Sequence, residues 1–146
     1  MAKKSKIKKV VKTILLSILS LFVVCVIYYI IMFLNTNQLT RDVKNVMEGK
    51  VSYEEIEGKP IEHYYFKGGY ETFDTVKYNT TRIFVWHNFS KGYIWLHDQW
   101  EVRDSNGNLV AGSGAKDWPM TYEYPTKWII EKHNGKWEIV DIDSHP

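Results

Sequence analysis

Cysteine occurs once in the 146 residues, at Cys25, inside an apolar run. An intrachain disulfide is therefore excluded, and any folded part must be held by its core. Charge is missing altogether from residues 14–34, ILLSILSLFVVCVIYYIIMFL. Acidic residues are missing from the stretch before it, which carries Lys3, Lys4, Lys6, Lys8, Lys9 and Lys12. No histidine stands in an HxxxH or HExxH frame, so no metal site is expected. Ala111-Gly112-Ser113-Gly114 is not the G-x-S-x-G frame of a nucleophile elbow, and no Gly-Lys-Ser/Thr follows to make a phosphate loop. No cofactor is indicated.

What is present begins with the apolar run. Twenty-one helical residues rise about 31 Å, enough to cross the hydrocarbon of a bilayer. The run exceeds the 7–15 residues or so of a signal-peptide core, and no small-x-small site follows it. Phe22-Val23-Val24 ahead of Cys25 are too large for a lipidation site, so Cys25 reads as a buried helix residue. With lysines on one flank only, the expected topology is a single-pass cell-membrane anchor, N-terminus cytoplasmic and C-terminal part extracytoplasmic. The lipid bilayer is thus the first expected partner, through residues 14–34.

The charge of the remainder differs from the whole. Six of the 19 basic residues fall in the tail, leaving 13 against 17 acidic ones beyond it. That excess of acid argues against nucleic acid as a partner. All six tryptophans lie beyond residue 34, and such side chains bury roughly 150–250 Å² each, so an ordered core is expected.

The expected organisation is a basic tail (1–13), a transmembrane helix (14–34), a helical neck (35–60) and an extracytoplasmic sheet domain (61–146). In the neck, Leu39, Val43, Val46 and Met47 recur at i, i+4, i+7 and i+8, one apolar helix face suited to covering a sheet. Gly49 fits its stop, and Ser52 with Glu55 matches a capping box for a short second helix. Residues 61–66 read as a first short strand. Strands are then expected at 80–89 and 93–103, with Ile94, Leu96, Asp98, Trp100 and Val102 on one face of the second. A turn over Ser90-Lys91-Gly92 predicts the pairs Val85 with Leu96, Trp86 with Trp95 and Phe84 with His97. Asn106-Gly107 predicts a two-residue type I′ hairpin into a strand over 109–116, and Asn134-Gly135 another between 126–133 and 136–143. The fold class is α+β: a curved antiparallel meander, cone-like or a partial barrel, behind a transmembrane helix and a short helical neck.

The terminal hairpin, residues 127–141 (KWIIEKHNGKWEIVD), and the preceding meander with a charge inside an apolar strand resemble the nuclear transport factor 2-like (SnoaL-like) superfamily. The resemblance covers about residues 77–143. It implies a cone, a curved antiparallel sheet wrapped on helices with a pocket inside, of a kind that also occurs behind single membrane anchors in Gram-positive bacteria.

Asp98 is the sharpest chemical candidate. A carboxylate between Leu96 and Trp100 on the apolar side of a strand would be desolvated and its pKa raised, as for a general acid or base. Asp98, Trp100, Leu96 and His87 are accordingly the pocket candidates, with Asp98 the one catalytic candidate and Arg82 a possible structural partner for it. His97 and His133 could join them, while Asp141, Asp143 and His145 read as a polar terminus. Both sheet faces look apolar, which makes Phe84, Trp86, Trp95 and Trp118 candidates for contact with another envelope or membrane protein, or with wall glycans. Two function classes follow: a membrane-anchored binding or accessory domain, and a ligand-binding or enzymatic pocket at Asp98.

Overall fold

A computed structural model describes residues 2–65, 75–113 and 125–143. The apolar run lies within one helix, α1 (Ala2–Asn35), whose aliphatic side chains stand exposed all round up to Ile31. This helix is long and apolar enough to cross a membrane. After a single turn residue, Thr36, the chain enters α2 (Asn37–Met47). Leu39, Val43, Val46 and Met47 are all buried, as their spacing requires. Each such side chain contributes roughly 1.5–3 kcal/mol when removed from water. Gly49, at φ +68°, ends the helix in a conformation that costs glycine little.

Two further short helices follow, α3 (Tyr53–Ile56) and α4 (Pro60–Tyr65). The capping box ahead of α3 is incomplete: the Ser52 hydroxyl meets the Glu55 carboxylate at 3.4 Å and caps no backbone N–H. The strand expected at 61–66 is helix α4 over its described part. Pro60 suits the first helical position, and the Glu62 carboxylate accepts from Gly58 N–H (2.6 Å) and Tyr53 Oη (2.6 Å), fixing the start. Ile61 and Tyr65, four apart, are the buried pair.

Among the described residues the sheet has five antiparallel strands, β1 (Thr75–His87), β2 (Lys91–Arg103), β3 (Leu109–Ser113), β4 (Thr126–His133) and β5 (Lys136–Asp143). The order β1-β2-β4-β5 is open and does not close into a barrel; β3 lies beside β2 as well. One edge of β2 is shared, with Lys91–Leu96 pairing β4 and Trp100–Arg103 pairing β3. The end of α1, α2 and α4 pack against one face of the sheet. On that face Val85, Ile94, Leu96, Trp128 and Ile130 are fully buried. The architecture is α+β: an N-terminal apolar helix, a helical layer and an open antiparallel sheet.

The first hairpin departs from its expected register by two residues. Val85 pairs with Ile94, Trp86 with Tyr93 and Phe84 with Trp95. The turn sits earlier, because Asn88 Oδ1 accepts from the N–H of both Ser90 and Lys91 and Phe89 takes φ +67°. A bulge at Ile83 then shifts the register by one more residue. Asn106-Gly107 is not a two-residue turn either. Asp104 organises a longer loop by accepting from Asn106 and Asn108 N–H, and only Gly107 takes positive φ. The final hairpin has the expected form, with Asn134 and Gly135 both at positive φ.

Candidate functional site

Asp98 is 6% exposed and lies on the helix-covered face of β2. Its two oxygens each accept a phenolic O–H at 2.5 Å, from Tyr65 on α4 and Tyr78 on β1. Trp128 Nε1 donates in turn to Tyr65 Oη at 2.9 Å. The rings of Tyr78 and Trp128 meet that of Tyr65 edge-on. Burial pushes the Asp98 carboxyl above the usual carboxylate range, and the two hydroxyl donors oppose that shift. Burial and the charge of Asp98 raise both phenols well above their ordinary values, so both remain donors. The short distances are those of charge-assisted O–H···O⁻ bonds. This carboxylate joins a helix, two strands and a tryptophan through its hydrogen-bond shell.

Arg82 is not the partner of Asp98. It turns to the end of α1, where Nη1 donates to the Phe33 carbonyl (2.8 Å) and Thr36 Oγ1 (3.0 Å) and Nη2 donates to Asn37 Oδ1. Its guanidinium lies 3.8 Å from the centre of the Phe33 ring. His87 serves the same junction. Phe89 N–H donates to Nδ1 (3.1 Å), which leaves Nε2 to donate to the Met32 carbonyl (3.2 Å). Burial lowers its pKa, so it stays neutral. Helix C-terminal carbonyls lack partners within the helix, and Arg82, His87 and the Thr36 hydroxyl supply them here. Of the other pocket candidates, Leu96 is fully buried in the core and Trp100 pairs with Tyr78 across the β1–β2 ladder.

The outer face of the sheet carries a row of rings. Phe84 and Trp86 are 40% and 42% exposed, and Trp95 is half-buried. Tyr93 joins them, stacked on Trp86 at 5.6 Å and tilted against Phe84 at 6.1 Å. Phe84 also meets Tyr29 of α1, so the row continues onto that helix. Lys127 lies over Tyr93 and Trp95 at 5.6 and 5.5 Å. Trp118 and His145 lie outside the described residues.

Another part of the described residues encloses open space. A groove of about 550 Å³ runs between α2, the α3–α4 region and β5. Its walls are mixed: Leu39, Val46 and Ile139 are apolar, whereas Asp42, Lys59 and Lys136 are charged. Burial raises the Asp42 carboxyl, opposed first by a hydrogen bond from Gln38 and then by Arg41, Lys136 and Lys59. Five consecutive residues of β5, Lys136 to Val140, line the groove. Neighbours in a strand point to opposite faces, so a continuous lining means that the strand's edge borders the space. Among the described residues β5 pairs on one side only, with β4.

Three residues of these sites escaped the sequence reading. Tyr65 carried a signal, its i, i+4 spacing from Ile61. Tyr78 carried none, because its place diagonal to Asp98 follows from the observed register, in which Thr80 stands opposite Asp98. Asp42 shared the polar face of α2 with charges of both signs and showed none. Comparison of the chain with protein-family models, with curated proteins and with solved structures finds no match.

Proposed function

We propose that this is a membrane-anchored binding domain without catalytic activity, which holds an extended segment of another envelope or membrane protein in the groove beside β5. The open edge of β5 carries the reading. Along this five-residue edge alternate residues offer backbone N–H and C=O groups to an added strand, and the alternating side chains of that strand would enter the apolar wall. Asp42, half-buried in the same wall, favours a segment with a basic or amide side chain at that point. Anchored through α1 with its lysine-rich end in the cytoplasm, the domain meets its partner outside the cell membrane. Helices on one face of an open sheet also support the cone-like reading of the domain.

The test is in-membrane photocrosslinking of the full-length protein with the reactive side chain at Glu138, in the groove, or at Asn106, at the opposite end of β2. One discrete partner at Glu138 that is absent at Asn106, and lost when Asp42 and Glu55 of the groove are both changed to Lys, is the expected result. Equal labelling at both positions, or labelling indifferent to the charge reversal, overturns the groove. A second reading, a small-ligand or enzymatic site at Asp98, draws its support from the raised carboxyl. Asp98→Asn decides it: an amide that stabilises the protein marks an acid kept for function.

A further inference from the structure

Helix α1 and strand β1 run past one another in opposite directions, and their contacts fix a common level. Arg82 meets Phe33, His87 meets Met32, and Phe89 meets Tyr28, with ring centroids 5.5 Å apart and near perpendicular. The hairpin tip therefore points back along α1 toward the apolar run. Tyr28 lies six residues before Leu34, the last residue of that run, or about 9 Å along the axis. A span of 21 residues fills the hydrocarbon with little to spare. Phe89 is thus placed below the level where the helix leaves the hydrocarbon, and Trp86 near that level.

The side chains at this end suit that depth. Phe89 and Trp86 are each 42% exposed, and Tyr93 stacks on Trp86. Tryptophan and tyrosine are the residues that settle at the headgroup layer. The β4–β5 turn lies at the same end, tied to the first hairpin by Lys132 N–H donating to Ser90 O at 2.7 Å. Lys91, Lys132 and Lys136 are exposed there, while Glu131 is engaged by His133 at 3.5 Å. The part of the chain beyond the anchor is net acidic, so this cluster of lysines runs against its average.

We propose that the two hairpin tips form a second membrane contact beside the anchor. Phe89 enters the edge of the hydrocarbon, Trp86 and Tyr93 lie among the headgroups, and Lys91, Lys132 and Lys136 face lipid phosphates. The partner is the anionic lipid surface of the leaflet from which α1 emerges. The consequence is a fixed orientation: the sheet stands on its tips with the β5 groove facing sideways along the membrane. The inference rests on reading α1 as an anchor.

The experiment is nitroxide depth measurement on full-length protein in phosphatidylcholine–phosphatidylglycerol vesicles. Cys25→Ser removes the native thiol, and single labels go to Ser90→Cys, to Leu19→Cys in α1 and to Asn106→Cys at the far end. Variants are accepted when their circular dichroism and melting match the parent, and Asn134→Cys replaces Ser90→Cys where it does not. Expected are deep values at Leu19, a water-like value at Asn106, and at Ser90 a severalfold lower exposure to an aqueous nickel quencher than at Asn106. A deep Leu19 with a water-like Ser90 overturns the second contact and leaves the anchor standing. A water-like Leu19 overturns the anchor and this inference with it. Vesicles of phosphatidylcholine alone should raise quencher exposure at Ser90, and no change overturns the role of the lysines.

Discussion

Two buried polar centres lie on the same face of the same sheet and are built on opposite principles. Asp98 is an anion inside the core, and its partners are side chains brought from α4 and β1. Arg82 and His87 lie under the end of α1, and each donates to a backbone carbonyl of its last turn, with Arg82 also reaching the Thr36 and Asn37 side chains. The first centre binds the domain to itself. The second binds the domain to α1. The domain is therefore not a body on a flexible tether, because Met32 is buried and Tyr29 and Phe33 pack against its core.

Removing α1 is the change with the largest expected effect. A fragment of residues 36–146 loses Met32 from the core and takes the Met32 carbonyl from His87 and the Phe33 carbonyl and ring from Arg82. We expect its stability toward urea to fall by about 4 kcal/mol or more against the full-length protein in micelles. Equal stability would show that the junction contributes nothing to the fold.

Asp98→Ala comes next. It strands two buried hydroxyls, each worth about 1–3 kcal/mol when unsatisfied, so global stability should drop by about 3 kcal/mol. Arg82→Ala is expected to cost about 2 kcal/mol, and in a different place. Amide exchange should quicken in the last turns of α1 and in β1 while the β4–β5 ladder stays protected. Arg82→Lys should not restore the parent, since one ammonium cannot reach acceptors on Phe33, Thr36 and Asn37 together. Uniform loss of protection in both regions would erase the distinction between the centres.

How much of this could be read from the chain differs by region for physical reasons. The apolar helix, the buried stripe of α2, the inward face of β2 and the last hairpin all follow from periodicity or turn chemistry, which are local. The first hairpin's register does not, because Asn88 moved the turn by capping it from its own side chain, and the bulge at Ile83 has no residue signature. Helix α4 was hidden by Ile61, Tyr64 and Tyr65, good strand formers whose spacing outweighs their propensity once Pro60 and Glu62 set the start. Asp98 was legible as a buried acid, but its partners come from 20 and 33 residues away. Arg82 was read toward the nearest anion, and its acceptors are instead the Phe33 carbonyl and the Thr36 and Asn37 side chains at the end of α1.

The smallest effect, and the one that sharpens the comparison most, is the response to pH. Burial raises the folded pKa of Asp98 above its usual 3.8, so between those values the folded state holds a proton that the unfolded state has released. Its contribution is whole below 3.8 and is lost as pH rises through the folded value. His87 runs the other way. Burial depresses it below its usual 6.5, with the charge of Lys132 adding to the effect, so its contribution is whole above 6.5 and is lost as pH falls through the folded value. Protonated Nδ1 could no longer accept from Phe89 N–H, so acid should loosen the hairpin tip and the α1 junction while leaving the tyrosine–aspartate centre intact. Urea midpoints of the full-length protein between pH 4 and 8 measure both. Asp98→Asn should remove the decline toward high pH, and His87→Gln the decline toward low pH. If either variant keeps the parent's profile, that group titrates alike in the folded and unfolded chain, and burial at its centre is incomplete in solution.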